Sequence, residues 1–119
     1  MRRLLFAIAF VLLAISAFAE QAKLDKNYKC VGVQDNKEYK TDLTIEVKDG
    51  NVYLAWDNGK MLGLGVRTGD TIAIALVVPA NGGVGVLLYK MEDGELHGRW
   101  TFSGGIFTET CVPSGTIKA

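Results

Sequence analysis

From Tyr28 onward the chain is interrupted, at near-regular intervals, by residues that turn a backbone. These are Gln34-Asp35-Asn36-Lys37, Asp49-Gly50, Asn58-Gly59, Thr68-Gly69-Asp70, Pro79 to Gly83, Asp93-Gly94 and Ser103-Gly104-Gly105. Asp-Gly and Asn-Gly are strong hairpin signals, because a type I′ turn needs positive φ at both central residues. Seven turns separate eight short segments rich in Val, Ile, Leu, Thr, Tyr and Trp, and no long amphipathic helix can be read between them. Connections this short favour a simple antiparallel meander, so the fold class expected is all-β.

The segments carry the period of a strand. In Tyr39 to Lys48, Tyr39, Thr41, Leu43, Ile45 and Val47 share one face, while Lys40, Asp42, Thr44, Glu46 and Lys48 share the other. That alternation marks a half-buried strand. The inward set is Val52, Leu54 and Trp56 in the third segment, and Leu96, Gly98, Trp100 and Phe102 in the seventh. The stretch Asp49 to Trp56 is echoed by Asp93 to Trp100: each reads Asp-Gly, an aliphatic residue two places on, then Trp four later. Duplication of a four-stranded unit explains this, and so does convergence on a good hairpin with an inward Trp.

A meander of eight strands removes its exposed edges by closing on itself. Closure sets the first strand beside the last, and these carry the two cysteines, Cys30 and Cys111. An even pair in an oxidising compartment reads as a disulfide. The expectation is therefore an eight-stranded antiparallel up-and-down β-barrel stapled at its seam, with a β-sandwich as the alternative. Closing so long a loop stabilises by roughly 4 to 5 kcal/mol in the chain-entropy model.

The compartment is read from the start of the chain. Arg2 and Arg3 precede an apolar run from Leu4 to Ile15, and Ala17-Phe18-Ala19 offers small residues at the −3 and −1 positions. This is the pattern of a removable signal peptide over 1–19. The run falls short of the roughly 20 residues that span a bilayer as a helix, so no membrane span is expected after its removal. The expected plan is an N-terminal segment at 20–27, a barrel domain at 28–112 and a tail at 113–119, in a periplasmic or secreted protein. Without Arg2 and Arg3, 11 basic residues face 13 acidic ones, a formal charge of −2. No basic patch or stripe points to nucleic acid.

An eight-stranded meander with Gly-flanked hairpins and inward Trp resembles the avidin and lipocalin group of barrels over roughly Tyr28 to Cys111. No ligand residues carry over from that likeness. A weaker resemblance is to the periplasmic inhibitors of C-type lysozyme. Tyr28-Lys29-Cys30 is similar to the Tyr-x-Cys near their mature N-terminus. Ser103-Gly104-Gly105-Ile106-Phe107 approximates their Ser-Gly-x-x-Tyr motif, with Phe107 at the final aromatic. That resemblance implies a loop that blocks a hydrolase.

Catalytic candidates are sparse. The chain after Ala19 has one histidine, His97, and two serines, Ser103 and Ser114, with no acid placed to orient a triad. Bridged cysteines leave no nucleophilic thiol. No enzymatic activity and no cofactor are expected. Asp93, Glu95 and His97 share one strand face and are suitable metal ligands, but Arg99 continues that face, which reads as solvated polar surface; no metal site is expected. Glu109 shares a face with Phe107 and Cys111, and its parity does not reveal whether that face is inner or outer. Trp56 and Trp100 are candidates to line a ligand cavity, or else to fill the core. Gly63 and Gly65 either open space or ease curvature.

The fifth and sixth segments break the alternation. Ile72, Ile74, Leu76 and Val78 oppose Ala73, Ala75 and Val77, and Val84, Val86 and Leu88 oppose Gly85, Leu87 and Tyr89. Apolar residues on both sides imply a covered outer wall, with Ala73, Ala75, Val77, Val84, Val86 and Leu88 as a candidate interface. The cover is a second copy in a homodimer, a partner protein, or the segment Glu20 to Asn27. The function expected is that of a non-enzymatic binding or interaction module for a small ligand or protein. A periplasmic inhibitor of a lysozyme or protease, working through Pro79 to Gly83 or Ser103 to Gly105, is the alternative. The exported protein should begin at Glu20; an intact mass that retains Met1 to Ala19 would overturn the export reading.

Overall fold

The computed structural model describes residues 22–102 and 104–116; the signal-peptide expectation over 1–19 and the serine at Ser103 lie outside the described residues. Eight strands follow in chain order: β1 (Asn27–Gln34), β2 (Lys37–Lys48), β3 (Asn51–Trp56), β4 (Met61–Thr68), β5 (Thr71–Val78), β6 (Gly83–Glu92), β7 (Glu95–Thr101) and β8 (Phe107–Pro113). Each pairs with its sequence neighbours, and β1 also pairs with β8, so the sheet is a closed antiparallel up-and-down barrel and not a sandwich. A single 3₁₀ turn, Ser114–Thr116, follows β8. No helix among the described residues is long and apolar enough to cross a membrane.

The turn chemistry explains the hairpins. Asp35 and Asn36 hold φ of 52° and 64°, Asp49 and Gly50 of 53° and 81°, and Asp93 and Gly94 of 52° and 78°. Paired positive φ values are what a two-residue I′ connection demands, and Asp, Asn and Gly supply them at little steric cost. All seven turn signals fall between consecutive strands.

The inward faces meet in one core. Tyr28, Leu43, Ile45, Val52, Leu54, Trp56, Ile72, Ile74, Leu76, Leu87, Tyr89, Leu96 and Trp100 are all buried within it. Val47 departs from its expected place, being 58% exposed although it shares parity with Ile45. The cause is the length of β2: β1 starts at Asn27, opposite Thr44, so Val47 has no strand beside it on that side. Gly63 and Gly65 do not open a void, since a Cβ at either position would lie 2.8 Å from the Ile74 side chain.

One end of the barrel is covered by the chain itself. The Ile45 N–H donates to the Lys26 carbonyl at 2.7 Å, and the Asp25 N–H donates to the Tyr28 hydroxyl at 2.9 Å. Leu24 packs against the core there. At the seam, Cys30 and Cys111 are directly opposed, with Cα atoms 4.0 Å apart, and are disulfide-bonded. Unfolded but unreduced protein should therefore show no free thiol. Reduction should cost about 4 to 5 kcal/mol of stability on the chain-entropy model, read as a fall in the urea midpoint. Two reactive thiols per chain would refute the bridge.

Candidate functional site

Register brings five residues of five adjacent strands into one inward row. Glu109 on β8 pairs with Gly32 on β1 and with Gly98 on β7. Gly32 pairs in turn with Tyr39 on β2, and Gly98 with Tyr89 on β6. The row reads Tyr39, Gly32, Glu109, Gly98, Tyr89. The glycines are what allow it to work. A Cβ at Gly98 would stand 2.6 Å from the Tyr89 ring, and one at Gly32 would collide with the Tyr39 ring. Each tyrosine thus lies across a glycine and reaches the carboxylate from its own side.

The hydrogen bonds follow. The Tyr39 hydroxyl donates to Glu109 Oε1 at 2.8 Å, and the Tyr89 hydroxyl donates to Oε2. Tyr39 is itself held by the Trp100 indole N–H, which donates to its oxygen at 2.9 Å. Trp100 is fixed by ring contacts with Tyr39, Phe102 and Phe107, at centroid distances of 6.1, 5.6 and 4.7 Å. The bridged Cys111 sulfur lies 3.4 Å from the Tyr89 hydroxyl. The indole N–H of Trp56 is near enough to favour the anionic forms of Glu109 and Tyr89, yet it makes no hydrogen bond of normal geometry.

Burial dominates the electrostatics. Glu109 is only 6% exposed. Desolvation raises its pKa above the usual 4.5, against the opposing pull of donors from Tyr89, Tyr39 and Trp56. Burial likewise pushes the Tyr39 and Tyr89 hydroxyls up, and the neighbouring Glu109 charge adds to the effect. All three groups are therefore biased toward their neutral forms.

Two members of this row, Tyr39 and Glu109, face a cup. The barrel end opposite Leu24 opens into a cavity of about 380 Å3, whose lining includes Tyr39, Trp56, Met61, Trp100, Phe102 and Glu109. That size falls in the range of about 300 to 1,000 Å3 typical of small-ligand sites. Trp56 and Trp100, four strands apart, both reach it. Thr41 Oγ1, which lines the same cup, is buried without a hydrogen-bond partner.

The other candidates fall elsewhere. His97 is on the outer wall, its Nε2 3.2 Å from Glu95 of the same strand, while Asp93 belongs to the preceding turn. Cys30, Glu109 and Cys111 bring possible ligand atoms within 4.8 Å of one another. The disulfide consumes both thiols, so this cluster offers a metal one carboxylate and no thiolate. From the sequence Tyr39 and Tyr89 are legible only as strand residues; their role depends on register across the seam.

The outer wall carries an ordered apolar grid. Leu62, Val77 and Val84 form one row across β4, β5 and β6, Leu64, Ala75 and Val86 the next, and Val66, Ala73 and Leu88 the third. Val84 and Val86 are 68% and 60% exposed. The small residues of β5 leave a shallow groove of about 660 Å3 between the flanking side chains. It is the larger concavity, but no buried polar side chain reaches it, so the chemistry belongs to the cup. Residues 22–26 lie at the barrel end beside Val47 and Val52, and do not cover this wall.

Compared with known proteins, the chain matches no family model, no curated protein and no solved structure.

The raised pKa values fix the sign of a pH effect. Folded Glu109 keeps its proton above pH 4.5, where the unfolded side chain loses it. Its contribution to stability is thus complete below 4.5 and declines as pH rises through the folded pKa. Tyr39 and Tyr89 add a second decline above pH 10. Glu109→Gln, which cannot ionise, should flatten the first decline and lessen without abolishing the second, which burial of the tyrosines sustains, as measured by urea midpoints across pH 4 to 11.

Proposed function

We propose that this barrel is an exported, non-enzymatic binding module that takes a small, partly apolar ligand into its open end. The observation that carries the reading is a cup at one end of the barrel, with aromatic walls and a hydrogen-bonded polar group, Glu109, in its lining. Rigid strands hold Tyr39 and Glu109, which favours recognition of a fixed shape. The hydroxyls of Tyr39 and Tyr89 are engaged with Glu109, and the sulfurs are bridged, which supports binding over covalent catalysis. The disulfide fits an oxidising compartment.

Trp56 and Trp100 report on the cup directly. Native mass spectrometry of protein purified from its own host should show an added small-molecule mass. Stripping that ligand should change the tryptophan emission, and adding it back should restore the emission. Protein that carries no added mass and whose fluorescence is unmoved by host extract would sink the reading.

The grid on β4, β5 and β6 supports a second activity of the same molecule, self-association through that wall. Symmetric pairing through one patch is the commonest way to cover such a surface, and each large side chain buried contributes on the order of 1.5 to 3 kcal/mol. Val86→Lys should then dissociate a dimer while leaving the fold intact, since an unpaired ammonium is costly to bury. Sedimentation of the unaltered protein as a clean monomer at high concentration would refute it.

A further inference from the structure

We infer that the ligand of this cup presents a protonated amine, which Glu109 receives as its counter-charge. The inference rests on the ligand-binding reading above and gives it a chemical class. Among the described residues Glu109 forms no ion pair, and the cation nearest the cup, Lys40, is an exposed residue of its lining. A carboxylate removed from water without a partner cation is among the costliest groups a protein can bury. Two hydroxyls donate to it, one per oxygen. A carboxylate has about four acceptor sites, so each oxygen keeps a lone pair for a further donor.

The surroundings select which donor. Tyr39, Trp56, Trp100 and Phe102 line the cup, and aromatic faces attract cations. Tyr39 and Tyr89 both spend their hydroxyl donors on Glu109, and the Trp100 N–H is spent on Tyr39, so none of these three is free to receive an anion. Thr41 Oγ1, buried and unpartnered on the cup wall, offers a second acceptor for an ammonium, which has three N–H groups to place. A neutral alcohol satisfies a lone pair but leaves the charge uncompensated. Among the described residues no cation is paired with Glu109, and an incoming ammonium supplies that counter-charge.

The test is a calorimetric titration of the mature chain, disulfide intact, with three probes of similar shape: 2-phenylethylamine, 2-phenylethanol and 3-phenylpropanoate. At pH 7 the amine should bind about 30-fold or more tightly than the alcohol, as expected when a buried charge pair is complete, and the anion should not bind. Glu109→Gln should bring the amine down to the level of the alcohol while leaving the alcohol unchanged, which also certifies the fold. Should that variant not fold, the unaltered protein decides. Lowering the pH through the titration of Glu109 should weaken the amine and spare the alcohol, because the amine stays charged throughout. Equal binding of amine and alcohol, or an amine preference that survives Glu109→Gln, overturns the inference and leaves the cup standing. Failure of all three probes to bind overturns the cup reading and this inference with it.

Discussion

The pairing of β1 with β8 is the contact on which the rest of the molecule depends. An eight-stranded meander left open would expose two edges, each a row of unmet N–H and C=O groups. Here Tyr28 to Val33 meets Thr108 to Pro113 in continuous register, and the Cys30–Cys111 bridge locks that register covalently. A slip of one residue would turn every inward side chain of β8 outward, Glu109 among them. The bridge therefore does more than restrict the unfolded chain. It sets which residues face each other across the seam, and the row around Glu109 straddles that seam.

That row is an instance of side chains borrowing room from their neighbours. An eight-stranded barrel is narrow enough for side chains alone to fill it, and a buried carboxylate there needs donors brought to it. Flanking Glu109 with glycine on both neighbouring strands lets tyrosines from the strands beyond span the gap. The same barrel stays well packed at its middle, where Ile72, Ile74, Leu87 and Leu96 are buried. The buried carboxylate is thereby set toward one end, with the apolar core behind it.

Much of this could be read directly from the residues. Turn chemistry at Asp49-Gly50 and Asp93-Gly94 is local, so it placed the hairpins, and strict alternation separated inner from outer faces on β2, β3 and β7. The bridge followed from the placement of two cysteines at the ends of a meander. The pairing of Tyr39 and Tyr89 with Glu109 was not legible, because it joins residues 70 and 20 positions apart through two intervening glycines. Only the register of closed strands makes them neighbours. Parity told that Glu109 shares a side with Cys111 but not which side that was. Val47 misled for a related reason: alternation describes a strand's faces and says nothing about where its neighbour stops.

An even number of strands returns the chain to the end from which it set out. Tyr28 stands opposite Pro113, and the segment 22–26 and the 3₁₀ turn at Ser114–Thr116 both adjoin that pair. The mouth is at the far end, ringed by the four hairpin connections after β1, β3, β5 and β7. The described residues nearest the termini, 22–26 and 114–116, therefore stand at the end of the barrel away from the opening. The rim lies in the turns and Glu109 in a strand, so the rim can diverge in sequence without disturbing the strands that carry the carboxylate.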